Sequence, residues 1–211
     1  MGFHGRDYPR GRGTMSDEFE LPSLRLPAAK KTLAARRKIE VAPFRIVIDT
    51  REQLPYRFDN LGVIVPTLTA ALHSGDYSIL GFEDRIAIER KSLTDLYGSC
   101  TRGRDRFERE IQRLEELEEE ALCLDLNCGC QGFHSSFAAV VIEATWHEVE
   151  NPMLLDPAWE NQTRPESILG TITAWSIRYP RVHWWCCGER RDCEKQIYRT
   201  FKAFWKVATP R

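Results

Sequence analysis

The sequence predicts an α/β domain, and two kinds of segment carry that prediction. Short runs of β-branched apolar residues, such as residues 46–48, have the length and composition of buried strands. Longer segments, such as the one that starts near Arg104, repeat apolar residues every three or four positions, which is the period of an amphipathic helix. Because the two kinds alternate along the chain, we expect a sheet covered by helices.

The first half of the domain is predicted to consist mainly of strands. Residues 46–48 and 63–65 are both compact apolar runs that we interpret as buried strands. Residues 77–80 and 85–88 flank a short Gly-containing segment, a spacing that is typical of an antiparallel hairpin.

The second half is predicted to alternate helices and strands. Ser92 is a suitable N-cap for a short helix through Tyr97, and a longer helix from about Arg104 has one apolar side that should pack on the sheet. The apolar residues on that side are Phe107, Ile111, Leu114 and Leu117. The remaining expected elements are strands at 138–142 and 182–185, helices at 165–179 and 191–207, and a surface loop at 149–162.

Residues 1–43 are predicted to form a flexible basic tail, and residues 44–211 the folded domain. The tail mixes Gly, Arg and Pro and has no apolar period long enough for a core element. Its basic residues include Lys30, Lys31, Arg36, Arg37 and Lys38. Met15 is a second candidate for the native start.

Composition and charge restrict the class of protein. A net charge of -1 provides no global cationic field, so binding to nucleic acid would have to use local basic surfaces. The odd number of cysteines, 7, and the absence of a secretory signal pattern favour reduced thiols and an intracellular location, cytoplasmic in a prokaryote or virus and nuclear in a eukaryote. No apolar run approaches the roughly 20 residues that cross a bilayer, so we expect no membrane span.

The predicted hairpin brings acidic residues together. Asp76 begins one strand and Glu89 ends the next, so antiparallel pairing would place both carboxylates at the same end. Like charges gathered in this way need a cation, and Mg²⁺ or Mn²⁺ prefers such oxygen ligands. Lys91, two residues after Glu89, returns to the same strand face, where its ammonium can stabilise a reacting phosphate or orient a water molecule. In isolation this spacing is also compatible with a solvated strand end.

The residues around these side chains form a longer pattern. Gly75-Asp76 is followed, after 12 residues, by Glu89-Arg90-Lys91-Ser92-Leu93-Thr94-Asp95. This pattern resembles the signature GD…ERKxxxD of the XPF-like structure-specific endonuclease family, whose nuclease domain is of the ERCC4 type. Further segments that resemble the family are Asp49-Thr50-Arg51-Glu52, Gly103-Arg104 and Val140-Val141-Ile142-Glu143, and the similarity spans roughly residues 45–207.

The resemblance implies a restriction-endonuclease-like core, with a central mixed β-sheet flanked by helices. It also implies cleavage of branched or flapped DNA, in repair or recombination, with Mg²⁺ or Mn²⁺ as cofactor. The implied metal ligands are Asp49, Asp76 and Glu89, with Lys91 near the scissile phosphate. The implied catalytic positions are Asp49, Arg51, Asp76, Glu89, Arg90, Lys91 and Asp95.

The chemistry of the neighbouring residues leaves some roles open. Arg51 and Arg90 are expected either to bind phosphate or to hold neighbouring carboxylates. Asp95 is assigned to buttressing Arg90 or Lys91, and Glu52 is a secondary acidic contact that could equally face solvent.

Basic residues near the long helix are candidates for DNA contact. Arg102, Arg106, Arg109 and Arg113 recur at three- and four-residue spacing, which aligns them along one face. They could equally pair with the glutamates of a solvated helix. Arg102 and Arg104, which lie nearest the signature, are the favoured DNA-binding residues.

For several cysteine, histidine and tryptophan residues, a structural role is favoured over a role in metal or DNA binding. Cys123, Cys128, Cys130 and His134 could hold zinc, but ordinary free cysteines are favoured. A structural role is favoured for His73. Core or subunit-interface packing is favoured over base stacking for Trp175, Trp184, Trp185 and Trp205.

The expected partner is DNA, bound by a homodimer or with the help of a separate DNA-binding protein, because one small site binds DNA weakly. Two alternative functions remain. One is a non-catalytic DNA-binding or scaffolding subunit of the same fold, which the full set of carboxylates and lysine argues against. The other is a sequence-specific restriction-type endonuclease, for which no base-reading element is evident.

Overall fold

The computed structural model describes residues 39–117 and 136–209. Its strands are β1 (Glu40–Val41), β2 (Ile46–Asp49), β3 (Val63–Ile64), β4 (Thr67–Ala70), β5 (Tyr77–Ile79), β6 (Ile86–Ser92), β7 (Phe137–Glu143) and β8 (Val182–Cys186). Its helices are α1 (Leu93–Cys100), α2 (Arg104–Glu115), α3 (Trp146–Glu150), α4 (Pro165–Arg178) and α5 (Arg190–Ala208), with a 3₁₀ turn at Pro152–Leu154.

Six of these strands form a mixed sheet in the order β4-β2-β5-β6-β7-β8. β2 is parallel to β4 and antiparallel to β5, which is antiparallel to β6. β6, β7 and β8 are mutually parallel. This arrangement confirms the predicted mixed sheet and the predicted hairpin, in which Tyr77 pairs with Ile88.

Helices cover both faces of the sheet because the central strands are apolar on both sides. On one face, α1, α2 and α4 pack against alternate residues of β6 and β7, such as Ala87 and Val140. On the other face, α5 packs against Ile86, Ile88 and Val141. Successive side chains of a strand point to opposite faces, so this alternation also decides where the polar residues at the end of β6 point.

Most helix predictions are confirmed with small shifts at the ends. The hydroxyl of Ser92 caps α1 and accepts a hydrogen bond from the backbone N–H of Asp95. α2 buries the predicted apolar side, including Phe107. Trp175 is fully buried, which confirms its core assignment. Trp184, Trp185 and Trp205 are partly buried against the two cores.

One strand prediction and the predicted boundary between tail and domain are wrong. Residues 63–65 do not form a buried strand, because Ile64 is 53% exposed and β3 pairs only with β1, outside the main sheet. The strand beside β2 is instead β4, whose residues alternate between exposed and half-buried, as an edge strand does. Glu40 and Val41, predicted as tail, pair with β3, and Ala42 is buried.

The predicted loop at 149–162 is corrected at its start, where α3 extends to Glu150 and the 3₁₀ turn follows. A capping box between Thr145 and Glu148 begins α3. The tail prediction for residues 1–38 and the cluster of Cys123, Cys128, Cys130 and His134 lie outside the described residues. In the part of the chain that the structure describes, no helix combines the length and apolar character required to cross a membrane.

Candidate active site

Asp76 and Glu89 meet where β5 begins and β6 approaches its end. The backbone N–H of Asp76 donates to the carbonyl of Ile88 over 2.8 Å. The backbone N–H of Arg90 in turn donates to Oδ2 of Asp76, also over 2.8 Å. Glu89 is buried, with only 9% of its side chain exposed. The hairpin therefore places the two carboxylates at one end of the sheet, as the sequence predicts.

Gly75 allows this close approach of the two strands. Its φ is +71°, a conformation that side chains with a Cβ rarely adopt. A Cβ at this position would lie 3.0 Å from the carbonyl oxygen of Ile88. The glycine that precedes Asp76 is therefore required by both conformation and space.

We expect Gly75→Ala to destabilise the protein more than Gly62→Ala. Gly62 has the same φ of +71° but nothing within 4 Å of its Cβ position. Gly62→Ala should therefore cost only the conformational term, about 1–2 kcal/mol, whereas Gly75→Ala must also displace the backbone of β6. Urea unfolding of both variants measures the difference, and equal losses would refute the crowding described here.

Burial and mutual repulsion disfavour the charged forms of both carboxylates. Burial raises the pKa of Asp76, and the neighbouring Glu89 raises it further, to about 8. Burial also raises the pKa of Glu89 from its ordinary value, although Lys91 opposes that shift. A positive charge placed between the two side chains would relieve this cost.

Lys91 lies on the same face of β6 as Glu89. Its Nζ is 2.5 Å from Oε1 of Glu89 and 3.8 Å from Oε2 of Glu110. The ammonium also lies 4.5 Å from the ring centroid of Phe107. Burial lowers the pKa of Lys91, but Glu89 and the other nearby carboxylates outweigh burial and raise it. Lys91 is therefore held in its charged form beside the carboxylates.

Asp49 is saturated by hydrogen bonds from the protein. Its Oδ1 accepts from the backbone N–H and Nε of Arg51, and its Oδ2 accepts from Nη2 of Arg51 and from the backbone N–H of Leu72. Although burial opposes the change, these bonds lower the pKa of Asp49. The Arg51 side chain remains 68% exposed, so Asp49 holds a guanidinium that faces solvent.

Arg90 points to the opposite face of the sheet from Glu89 and Lys91. Its Nε and Nη2 form a bidentate pair with the Glu143 carboxylate, at 2.7 and 2.8 Å. Its Nη1 lies 3.5 Å from Oε1 of Glu52, whose side chain is only 7% exposed, so Glu52 makes an acidic contact, one of the two alternatives that the sequence leaves open. Arg90 therefore holds neighbouring carboxylates, one of the two roles that the sequence leaves open for it.

Most of the predicted catalytic residues line one cavity of about 480 Å³. Those that line it are Arg51, Asp76, Glu89, Arg90, Lys91 and Asp95. Asp49 is buried, does not line the cavity, and accepts hydrogen bonds from Arg51, which does. Asp95 does not buttress Arg90 or Lys91, because its carboxylate accepts a hydrogen bond from the Ser92 hydroxyl at the start of α1. His73 is exposed and lines the cavity, and its structural role stays a prediction.

The structure brings different arginines of α2 to the cavity than the sequence favours. Arg106 and Arg113 line it, whereas Arg102 and Arg104 do not. Nη1 of Arg104 instead donates to the hydroxyl of Thr171 in α4, and its guanidinium carbon lies 4.9 Å from the ring centroid of Trp175. Arg104 therefore joins two helices, and its assignment to DNA binding is not supported by its contacts.

Sequence reasoning missed Glu110 as a site residue. Glu110 lines the cavity and faces Lys91. It lies three residues after Phe107 and four before Leu114, so it is an acidic residue beside the buried stripe of an amphipathic helix. That position is the signal by which it could be recognised. Arg190, which bonds Glu143 over 2.7 Å, has no comparable local signal.

The carboxylates of the cavity are of the type that binds a divalent cation, but no three of them are grouped around one point. Asp76 and Glu89 offer the carboxylate oxygens that Mg²⁺ and Mn²⁺ prefer. Among residues 39–117 and 136–209, however, no three His, Cys, Asp or Glu side chains are grouped as a ready metal site. Of the predicted trio of ligands, Asp76 and Glu89 line the cavity, whereas Asp49 accepts four hydrogen bonds from the protein, and its ligand role stays a prediction.

Similar solved structures include two of XPF from Aeropyrum pernix, one of them in complex with DNA. Each is 19% identical to this chain, covers 79% of it and has a TM-score of 0.48. The match covers 66% and 65% of those chains, so this protein spans just under two thirds of their length. A search of curated proteins finds no match.

The family model of the ERCC4 domain matches residues 48–200. That range is more than half of the 211-residue chain and contains every predicted catalytic residue from Asp49 to Asp95. The protein therefore belongs to the ERCC4 domain family.

Proposed function

We propose that this protein is a divalent-metal-dependent endonuclease that hydrolyses phosphodiester bonds in branched or flapped DNA, in repair or recombination. The observation that carries the proposal is the juxtaposition of Asp76, Glu89 and Lys91 at an open cavity. Two carboxylates with raised pKa values cost stability, and perturbed groups of this kind are concentrated at functional sites. A divalent cation would balance the two carboxylates, and a phosphate would balance the ammonium of Lys91.

The side chains of the cavity would have different roles in phosphodiester hydrolysis. A bound Mg²⁺ or Mn²⁺ ion would activate water and stabilise charge on the phosphate oxygens. Asp76 and Glu89 would hold that ion. Lys91 would donate a hydrogen bond to the reacting phosphate or to the attacking water, because Glu89 orients its ammonium at the cavity. Arg51, held by Asp49 yet largely exposed, would contact a neighbouring phosphate.

A non-catalytic DNA-binding or scaffolding subunit is the second candidate. The observation in its favour is the saturation of Asp49, which leaves fewer carboxylates for a metal. The retention of Asp76, Glu89 and Lys91 in one cavity favours the enzyme. DNA is the proposed partner in both cases, with homodimerisation or a separate DNA-binding protein supplying further affinity. A DNA substrate also implies an intracellular location.

The proposal is tested by a cleavage panel of flap, fork, bubble, single-stranded and linear duplex DNA with Mg²⁺ or Mn²⁺. We expect cutting of flap and fork DNA and much slower cutting of linear duplex. Cutting of linear duplex at one particular sequence would instead indicate a restriction-type enzyme. Binding without cutting of any substrate would favour the scaffold.

We expect deletion of residues 1–38 to weaken DNA binding without removing metal-dependent cutting. Nine lysines and arginines are lost, among them Lys30, Lys31, Arg36, Arg37 and Lys38, but no candidate site residue is. Binding measured at several salt concentrations should therefore depend less steeply on salt. The deletion stops before Glu40 because β1 pairs with β3. Loss of cutting by the folded deletion variant would contradict the prediction.

A further inference from the structure

A second cavity, of about 880 Å³, lies beside the end of β6 on the face to which Arg90 points. Four arginines line it: Arg57, Arg90, Arg190 and Arg191. We call this cavity the arginine groove. Only Arg90 belongs to the signature pattern, and the other three come from the segment after β2 and from the start of α5.

Two arginines of the groove are available to a ligand. Arg57 and Arg191 are exposed, and neither has a hydrogen-bond or ion-pair partner within residues 39–117 and 136–209. Arg190 is held more firmly, with its side chain 41% exposed and its guanidinium carbon 4.5 Å from the ring centroid of Tyr56. The groove thus combines two guanidinium groups that are unpaired among the described residues with one that is already oriented.

The carboxylates that line the groove cancel only part of this charge, because three of them stand against four arginines. Glu143 is neutralised by Arg90 and Arg190, which both bond its Oε1 over 2.7 Å. Glu194 is buried and accepts a hydrogen bond from the backbone N–H of Phe58. Asp59 is the exposed acid among the three carboxylates that line the groove. The groove therefore favours an anionic ligand.

The segment that carries Arg57 is held in place before any ligand binds. Phe58 has a φ of 56°, which is unusual for a bulky residue and persists only where the surroundings enforce it. Its side chain is 1% exposed, and its ring packs edge-on against Tyr56 and Tyr77, at centroid distances of 6.1 and 6.0 Å. Arg57 is thus presented from a rigid segment.

The arginine groove is continuous with the candidate active site. Gln53, Leu54 and Arg90 line both cavities, so the two meet around the end of β6. We propose that the arginine groove binds the phosphodiester backbone of the same DNA molecule, on the far side of Arg90 from the bond that is cut. This inference rests on the proposed function, and it assigns Arg57, Arg190 and Arg191 to substrate binding. An extended anion that leaves the active site would meet these arginines next.

The double variant Arg57→Ala/Arg191→Ala tests the proposal by binding rather than by cutting. Equilibrium binding of flap DNA is measured in EDTA at several salt concentrations. Because each lost phosphate contact reduces the slope of log K against log salt by about 0.9, we expect weaker binding and a slope that is shallower by about 2. Arg199→Ala is the matched control, since Arg199 is an exposed arginine of α5 outside the groove. It should bind as wild type does.

Neutral methylphosphonate linkages, introduced one at a time along the flap DNA, locate the contact. In wild type, we expect a short run of positions at which neutralisation weakens binding. The same positions should have no effect in the double variant, because the partner cations are gone. If the double variant binds with wild-type affinity and salt slope while wild type still cuts flap DNA, the groove assignment fails and the nuclease stands. If wild type neither binds nor cuts DNA, both proposals fall.

Discussion

Asp76→Asn and Glu89→Gln are each expected to abolish detectable DNA cutting while leaving the protein folded. Each change keeps the shape of the side chain and removes the charge that would hold a divalent cation. In single-turnover assays with flap DNA and saturating Mg²⁺, neither variant should form product on the time scale of wild type. Wild-type cutting by either purified variant would contradict the site assignment.

Asp76→Asn also changes a property that does not depend on activity, the pH dependence of the free energy of unfolding. The pKa of Asp76 is raised to about 8 in the folded protein, so its protonated form is favoured by folding. Without metal, that contribution to stability is present below the ordinary value of 3.8 and is lost as the pH rises through about 8. Asp76→Asn cannot titrate, so its urea-unfolding free energy should fall less over this range. Parallel pH profiles of the two proteins would contradict the burial of this charge.

Lys91→Ala is expected to slow single-turnover cutting by about 10²–10³ while changing DNA affinity much less. The ammonium is positioned by Glu89 within the cavity, so its loss should affect the reacting phosphate more than general attraction. Rates are measured with DNA at saturating protein, which separates the chemical step from binding.

Two further variants control the lysine measurement. Lys91→Met retains an apolar stem over Phe107, so slow cutting by both Lys91 variants would indicate loss of the charge rather than loss of packing. Arg102→Ala removes an exposed cation outside the cavity and should mainly weaken binding. The catalytic role of Lys91 is wrong if Lys91→Ala cuts as fast as wild type at saturation.

The positions of Asp76, Glu89 and Lys91 could be predicted from sequence because they depend on two strands that are neighbours in the chain. Residues 77–80 and 85–88 are close in sequence, and an antiparallel hairpin brings their open ends together. The period of two along a strand likewise places Glu89 and Lys91 on one face. The observed contact of 2.5 Å between these two side chains agrees with that placement.

The parts that could not be predicted depend on how distant elements pack. The rotation of α2 decides that Arg106 and Glu110 face the cavity while Arg104 faces α4, and spacing alone cannot fix that rotation. The ion pair between Arg190 and Glu143 joins residues separated by 47 positions. The edge strand β4 also depends on a parallel pairing with β2 that no local period announces. These features follow from tertiary packing rather than local propensity.

Metal-dependent cutting at Asp76 and Glu89 is measured by single-turnover cleavage of flap DNA by the purified protein, with Mg²⁺ or Mn²⁺ and with EDTA. If Asp76 and Glu89 form a metal-dependent hydrolytic site, the DNA is cut with metal, is not cut in EDTA, and is cut again when metal is restored. Equal cutting in EDTA, or no cutting with either metal, would contradict a metal-dependent hydrolytic site at Asp76 and Glu89.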